Sequence, residues 1–423
     1  MPVRSRAAAY LRNAAAAGRR AKARNCTTSR FVSAPADRTT LLSPTAVNAI
    51  LAEVRQRQAD GREVVSLMRG EPDFDTPVHI VEAAGRALAQ GRTRYPDNRG
   101  EPALRQAIAA RLQTDAGLSY DADAEILVTT GATLGIQVAL MALINPGDEV
   151  LVPDPVYDAY RSPIRLAGGT VRPIRSTIRE GRFVLPAAAV AAAIGPRTRV
   201  LVLNTPWNPT GTVFSAEELR ELIDVLVTHD LFLISDEIYE ALTFDGVRHV
   251  SPVSASAAAR ARTVVVNSLS KTYAMTGWRV GYNVAPAALT RVMLLVLQQM
   301  SRGPATFVQD AATEALTAPQ HCVQTMREEY ARRRAEVVAA LSGLPHVRVL
   351  PPEGGFFAII DLRETGIPSD AIRRRLLAEH GVAVVHGAAY GPGGEGTLRV
   401  SFGCGGDTLR RGLDRLAEGL RGL

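Results

Sequence analysis

From about Gly91 to Val284, short apolar runs alternate with stretches whose apolar residues recur at helical spacing. A short β-branched run bounded by turn residues reads as a buried strand, and apolar positions three and four apart read as a helix packed on one face. Glu125 to Thr130, Val150 to Val152, Arg199 to Leu203, Leu231 to Ser235 and Thr263 to Val266 are the strands, and Ala216 to Val227 is an amphipathic helix between two of them. Such alternation predicts an α/β fold with a mainly parallel central sheet. Ligands of such sheets bind beyond the carboxyl ends of the strands, which singles out Gly131, Asn208, Asp236 and Lys271.

The flanks differ. A Ser-Pro start opens a helix from Leu42 to Gln58, and Val64 to Leu67 reads as a short strand. A long helical pattern runs from Ala287 towards Thr317, as a natural connection between domains. Another covers Val323 to Leu341, where Arg327, Glu328, Glu329, Arg332, Arg333 and Arg334 read as a solvated face. Phe356-Phe357 leads into one strand, Thr397 to Gly403 forms a second, and Gly391 to Gly396 reads as a flexible loop. We therefore expect a basic, disordered extension at 1–36, a segment at 37–75 joining the small domain, a large domain at 76–310 and a small α/β domain at 311–423.

A chain of 423 residues with 46% hydrophobic side chains has material for a large core and two domains. Its net charge of +7 is misleading as a pointer to nucleic acid, because residues 1–36 carry eight Lys/Arg and no Asp/Glu. The remainder is close to neutral, so no nucleic-acid partner is expected. No apolar run is long enough to span a membrane, so none is expected there either. The first 36 residues have the composition of a mitochondrial transit peptide, yet low hydrophobicity with charge is sufficient for a disordered extension, and we favour the second reading. Cys26, Cys322 and Cys404 are isolated, which argues against a zinc site and fits a reducing, cytoplasmic setting, or the mitochondrial matrix if the extension is a transit peptide.

The chemistry gathers at Ser268-Leu269-Ser270-Lys271, followed by Met275-Thr276-Gly277-Trp278-Arg279-Val280-Gly281. A lysine at the end of a buried strand loses solvation, which lowers its pKa and leaves the amine able to attack a carbonyl. Ser268, Ser270 and Arg279 are the donor types that bind phosphate, and a glycine turn at a helix start, Gly131-Ala132-Thr133, offers free N–H groups to the same anion. An aldehyde carrying a phosphate satisfies both, and pyridoxal phosphate is such a molecule. Asp236 ends an apolar strand, where it needs a cation, and a protonated pyridine nitrogen is one.

The Ser-x-Ser-Lys and Met-x-Gly-Trp-Arg-x-Gly motifs resemble the cofactor-lysine signature of class I/II aminotransferases, fold-type-I pyridoxal phosphate enzymes. Asn204-x-Pro-x-Asn208-Pro-Thr-Gly and Tyr95-x-x-x-x-Gly100 extend the resemblance over about Ser66 to Gly403. It implies that Lys271 holds the cofactor, Asp236 pairs with its ring nitrogen, and Asn208 and Tyr239 bond its ring oxygen. It further implies that Tyr157 stacks on the ring, that Gly131, Ala132, Thr133, Ser268, Ser270 and Arg279 bind its phosphate, and that Gly70, Asn208 and Arg399 bind the substrate carboxylate. Tyr95 would reach the phosphate of a neighbouring subunit, so a homodimer with shared sites is expected. The implied reaction is ping-pong transfer of an amino group between an amino acid and a 2-oxo acid. The motifs leave open lyases and synthases of the same fold. A regulatory relative would need a DNA-binding domain for which the basic extension is too short. Thr133 stands where some aspartate-using relatives have lysine, which weakens a preference for dicarboxylic donors.

Overall fold

The computed structural model describes residues 36–42 and 44–423, so Cys26 and residues 1–35 of the expected extension lie outside the described part. Asp37–Leu41 is a short 3-10 turn with no buried residue. Residues 41–423 form one compact unit.

In chain order the strands are β1 (Val65–Ser66), β2 (Ile126–Thr129), β3 (Glu149–Asp154), β4 (Thr170–Arg175), β5 (Thr177–Arg179) and β6 (Arg182–Val184). There follow β7 (Thr198–Asn204), β8 (Phe232–Asp236), β9 (Thr263–Ser268) and β10 (Gly281–Val284). The last are β11 (Arg348–Leu350), β12 (Phe357–Asp361), β13 (Val382–Ala383), β14 (Val385–His386) and β15 (Thr397–Ser401).

The main sheet runs β2-β10-β9-β8-β7-β3-β4. Only β10 is antiparallel to its neighbours, so the sheet is mainly parallel, as expected. Apolar side chains fill both faces of its central strands, which is why those strands read as unbroken Val, Leu and Ile runs rather than as alternating patterns. Helix Ala132–Leu143 is buried between the sheet and helix Ala287–Met300. A second, antiparallel sheet runs β11-β12-β15-β14, and β1 pairs in parallel with β13. Its core joins Phe356, Phe357 and Val400 to the C-terminal helix Gly406–Arg421.

Three local readings change. The long helix from Ala287 is two, Ala287–Met300 and Thr306–Thr317, broken where Gly303 sits at φ +81° and Pro304 has no N–H to donate. The second packs against helices Val78–Ala89 and Pro102–Ala116, and the 310/311 boundary falls inside it. Arg333 is not on a solvated face: it is buried, ion-paired with Asp73 at 2.8 Å and Glu329 at 2.8 Å, with its guanidinium over the Phe74 ring. Nor is Gly391–Gly396 a loose loop. It contains a short 3-10 turn, Pro392–Gly394, packed against the end of β3, with Gly391 and Gly393 too close to Asp154 for any side chain.

Candidate active site

Parallel strands bring their carboxyl ends to one edge, and here register makes the ends level. Asn204 pairs with Asp236, and Asp236 with Val266, so β7, β8 and β9 finish side by side. The turns beyond them surround a cavity of about 360 Å³.

Lys271 enters it from the short helix Leu269–Thr272 that follows β9, and its Nζ donates to the Gly70 carbonyl at 2.6 Å. The amine faces the cavity but is otherwise packed round by protein. Desolvation, opposed by Glu71 and Asp236, brings its pKa down to about 8. About a tenth of such an amine is neutral and nucleophilic at pH 7, against well under a thousandth of an ordinary lysine.

Asp236, at the end of β8, is buried and also lines the cavity. Burial raises its carboxyl to about 6, against the lowering effect of Tyr160, whose hydroxyl donates to Oδ2 at 2.5 Å, and of the Ile238 N–H at 3.3 Å. Asn204 braces the same corner, donating from Nδ2 to the Asp236 carbonyl and accepting at Oδ1 from the Asn208 N–H at 2.7 Å. Asn208, Tyr157 and Tyr239 line the cavity, and burial raises both phenols. Tyr157 is held edge-on by Tyr160, with ring centroids 5.4 Å apart.

The phosphate-type donors converge as well. Ala132, Thr133, Ser268, Ser270 and Arg279 share the cavity wall. Helix Ala132–Leu143 starts at Gly131 with no side-chain cap, so its first N–H groups point out of the helix unbonded by any cap. Gly131, at φ +81°, lies behind Arg279: a Cβ there would come within 2.4 Å of the guanidinium Nη2.

Arg399 on β15 is 3% exposed. Its Nη1 donates to Asn208 Oδ1 at 3.3 Å, its Nη2 to the Met68 carbonyl at 2.9 Å, and its Nε has no partner among the described residues. The anionic partner that a buried arginine in an apolar strand calls for is thus replaced by neutral acceptors, with Phe357 and Tyr390 rings at 4.0 and 5.0 Å from the guanidinium. Gly70 lines the cavity too, and a Cβ on it would meet no protein atom, only the cavity.

Of the residues singled out in the sequence, Gly131 stands just behind the wall and Tyr95 stands apart, 87% exposed. The others share the one cavity. Sequence reasoning passed over Tyr160, Asn204 and Asp158, and also Thr45 and Asn48, which the first helix and its cap bring to the cavity. Glu237, next to Asp236 in the chain, accepts from Ser235 and Ser251 and pairs with His249, outside the cavity wall. The uncapped helix start, the orphaned Arg399 Nε, the lysine and the buried acid together fit a phosphate-bearing aromatic aldehyde and an anionic second ligand.

A family model described as aminotransferase class I and II matches residues 62–416. An arginine–pyruvate transaminase of Pseudomonas aeruginosa is 43% identical, over 87% of this chain and 91% of its own. An aspartate aminotransferase of Pyrococcus abyssi is 38% identical, over 92% and 98%. The solved aspartate aminotransferase of Thermus thermophilus with maleate superposes with a TM-score of 0.86 at 38% identity, covering 92% of this chain and all of that one.

Proposed function

Because the chain belongs to the class I and II aminotransferase family, and is an aminotransferase, we propose that its cavity holds pyridoxal phosphate between Lys271 and Asp236. The observation that carries this reading is a neutralisable lysine and a buried acid in one cavity, at the ends of adjacent parallel strands, beside an uncapped helix start.

Lys271 is the residue proposed to bond the cofactor's carbonyl carbon, and Asp236 the partner of its ring nitrogen. A cation there would draw the Asp236 pKa back down, so acid and ring stabilise each other's charge. Tyr160 and Asn204 hold Asp236 in place for that role. The first turn of helix Ala132–Leu143, with Ser268, Ser270 and Arg279, anchors the phosphate. Asn208 and Tyr239 sit to bond the ring oxygen, and Tyr157 to cover the ring face. When bound, the cofactor supplies the electron sink that makes an α-proton removable. Arg399 would align the donor by its α-carboxylate, and Nζ of Lys271 would be the base that takes and holds the α-proton. Repetition in reverse with a 2-oxo acid completes the transfer.

The exposure of Tyr95 supports a homodimer in which it serves the neighbouring site. Free thiols at Cys322 and Cys404 fit a cytoplasmic setting. The two sheets support a division into a large region and a small C-terminal one joined by 37–75, and the packing of helix Thr306–Thr317 favours a boundary after Thr317 rather than at 310/311. The arginine–pyruvate relative makes a basic donor with pyruvate the first pair to assay.

The test is the visible spectrum of the purified protein with pyridoxal phosphate, beside Lys271→Ala. A lysine-dependent band that bleaches with a donor and returns with a 2-oxo acid is the expected result. A spectrum that is the same with and without Lys271 would overturn the reading.

A further inference from the structure

Beside Tyr157, the cavity wall contains a half-buried carboxyl that the transfer chemistry leaves unused. Asp158 opens a 3-10 turn, Asp158–Tyr160, and faces the same cavity as Lys271 and Arg399. Its Oδ2 is shut off from solvent and has no hydrogen-bond partner among the described residues. Burial raises its pKa, and the charges of Arg399 and Arg161, the Thr45 hydroxyl and the Ala159 N–H offset only part of that effect. The charge of Arg399 is the largest of those offsets, yet its two terminal nitrogens bond Asn208 and the Met68 carbonyl rather than Asp158.

A buried carboxylate oxygen without a donor is costly, and a cation arriving with a ligand relieves it. One cavity thus presents a guanidinium at Arg399 and a carboxylate at Asp158. Their complement is a ligand with an anion at one end and a cation at another. The α-carboxylate of an amino acid answers to Arg399, and its α-amino group is consumed at Lys271. The remaining cation has to be in the side chain. At the helix start, position 133 is threonine and adds no positive charge to that of Arg279, which is assigned to the phosphate.

We propose that Asp158 reads the side chain of the amino donor and selects donors with a cationic end, of which a guanidinium fits a carboxylate best by its paired N–H groups. Thr45 and Asn48, brought to the cavity by the first helix and its cap, line it with neutral polar side chains. This rests on the aminotransferase site described above.

The experiment compares L-arginine with L-citrulline, its uncharged near-isostere, as donors for the cofactor-loaded wild type, Asp158→Asn and Asp158→Ala. Wild type is expected to favour arginine by at least ~10-fold in kcat/KM, chiefly through KM, and the ratio is expected to fall towards unity in both variants. A wild-type ratio near one, or a ratio unchanged by either substitution, overturns the proposal. Calorimetric titration with guanidinovalerate and ureidovalerate, which lack an amino group and cannot react, gives an independent readout. Tighter binding of the guanidino compound that disappears in Asp158→Asn supports the cation site, and equal binding to wild type overturns it. Absence of turnover with every donor counts against the cofactor assignment instead, while the calorimetric comparison still decides Asp158.

Discussion

Lys271 and Asp236 both pay for their position in the fold, in opposite pH windows. The folded pKa of Lys271, about 8, lies below the roughly 10.4 of a free lysine, so between those values the unfolded chain holds more protons. Stability of the cofactor-free protein should therefore rise with pH across that window, the penalty being complete below it. Lys271→Met is expected to stabilise the cofactor-free protein by about 2 kcal/mol at pH 7, allowing for the amine's opening to the cavity, and to abolish turnover. Urea unfolding of both proteins across pH checks this, and equal midpoints below pH 8 would refute it. For Asp236, raised to about 6 from roughly 3.9, the folded chain holds the extra proton, so stability falls as pH rises between the two. Asp236→Asn should remove that slope and weaken cofactor binding at least ~10-fold, measured by absorbance titration. The sequence disclosed both residues because each breaks an apolar strand end with a charge. Tyr160 and Asp158 gave no such signal: each is one polar residue in a Pro-containing turn, and what defines them is a contact with Asp236 or a place beside Arg399 from distant parts of the chain.

At the level of elements, the phosphate-type cradle depends on how closely three backbones approach. A Cβ on Gly281 in β10 would come within 2.8 Å of the Asn267 carbonyl and 2.9 Å of the Ala132 nitrogen, and one on Gly131 within 2.4 Å of Arg279. Gly131→Ala forces a left-handed φ on a residue with a side chain and pushes Arg279 aside. It should weaken pyridoxal phosphate at least ~10-fold in a fluorescence titration while leaving the far-ultraviolet circular dichroism intact. An unchanged affinity would mean that the turn does not carry the phosphate. Strands and their ends were legible because buried parallel strands write unbroken β-branched runs into the sequence. The break at Gly303-Pro304 was missed because helical spacing resumes in phase on both sides. Arg333 was misread because its neighbours at 327–334 do face water, and only the contact with Asp73 and Phe74 distinguishes it.

For the whole molecule, the α/β class and the mainly parallel sheet followed from the alternation of elements, whereas the pairing of β1 with β13 joins segments no local pattern connects. An assembly with shared sites makes a sharp forecast. If Tyr95 serves the neighbouring site as proposed, a mixed dimer of Lys271→Ala and Tyr95→Phe carries one site with both lesions and one with neither. Co-refolding them should restore activity beyond the sum of the separate variants, and a strictly additive result would put Tyr95 outside the neighbouring site. The β1–β13 pairing also bears on biosynthesis. Val65 leaves the ribosome long before its partner Val382, and at about 5–20 residues per second the wait is roughly a quarter of a minute to a minute. Through that interval helix Ala46–Ala59, whose buried Ile50 and Val54 pack with Leu377, Val385 and Tyr390, has only the adjoining Val64 and Met68 of its core to cover it. The nascent chain thus presents a partly covered apolar segment to chaperone holdases until synthesis is nearly over, and a stop codon before Leu377 would leave it without the C-terminal part of its core.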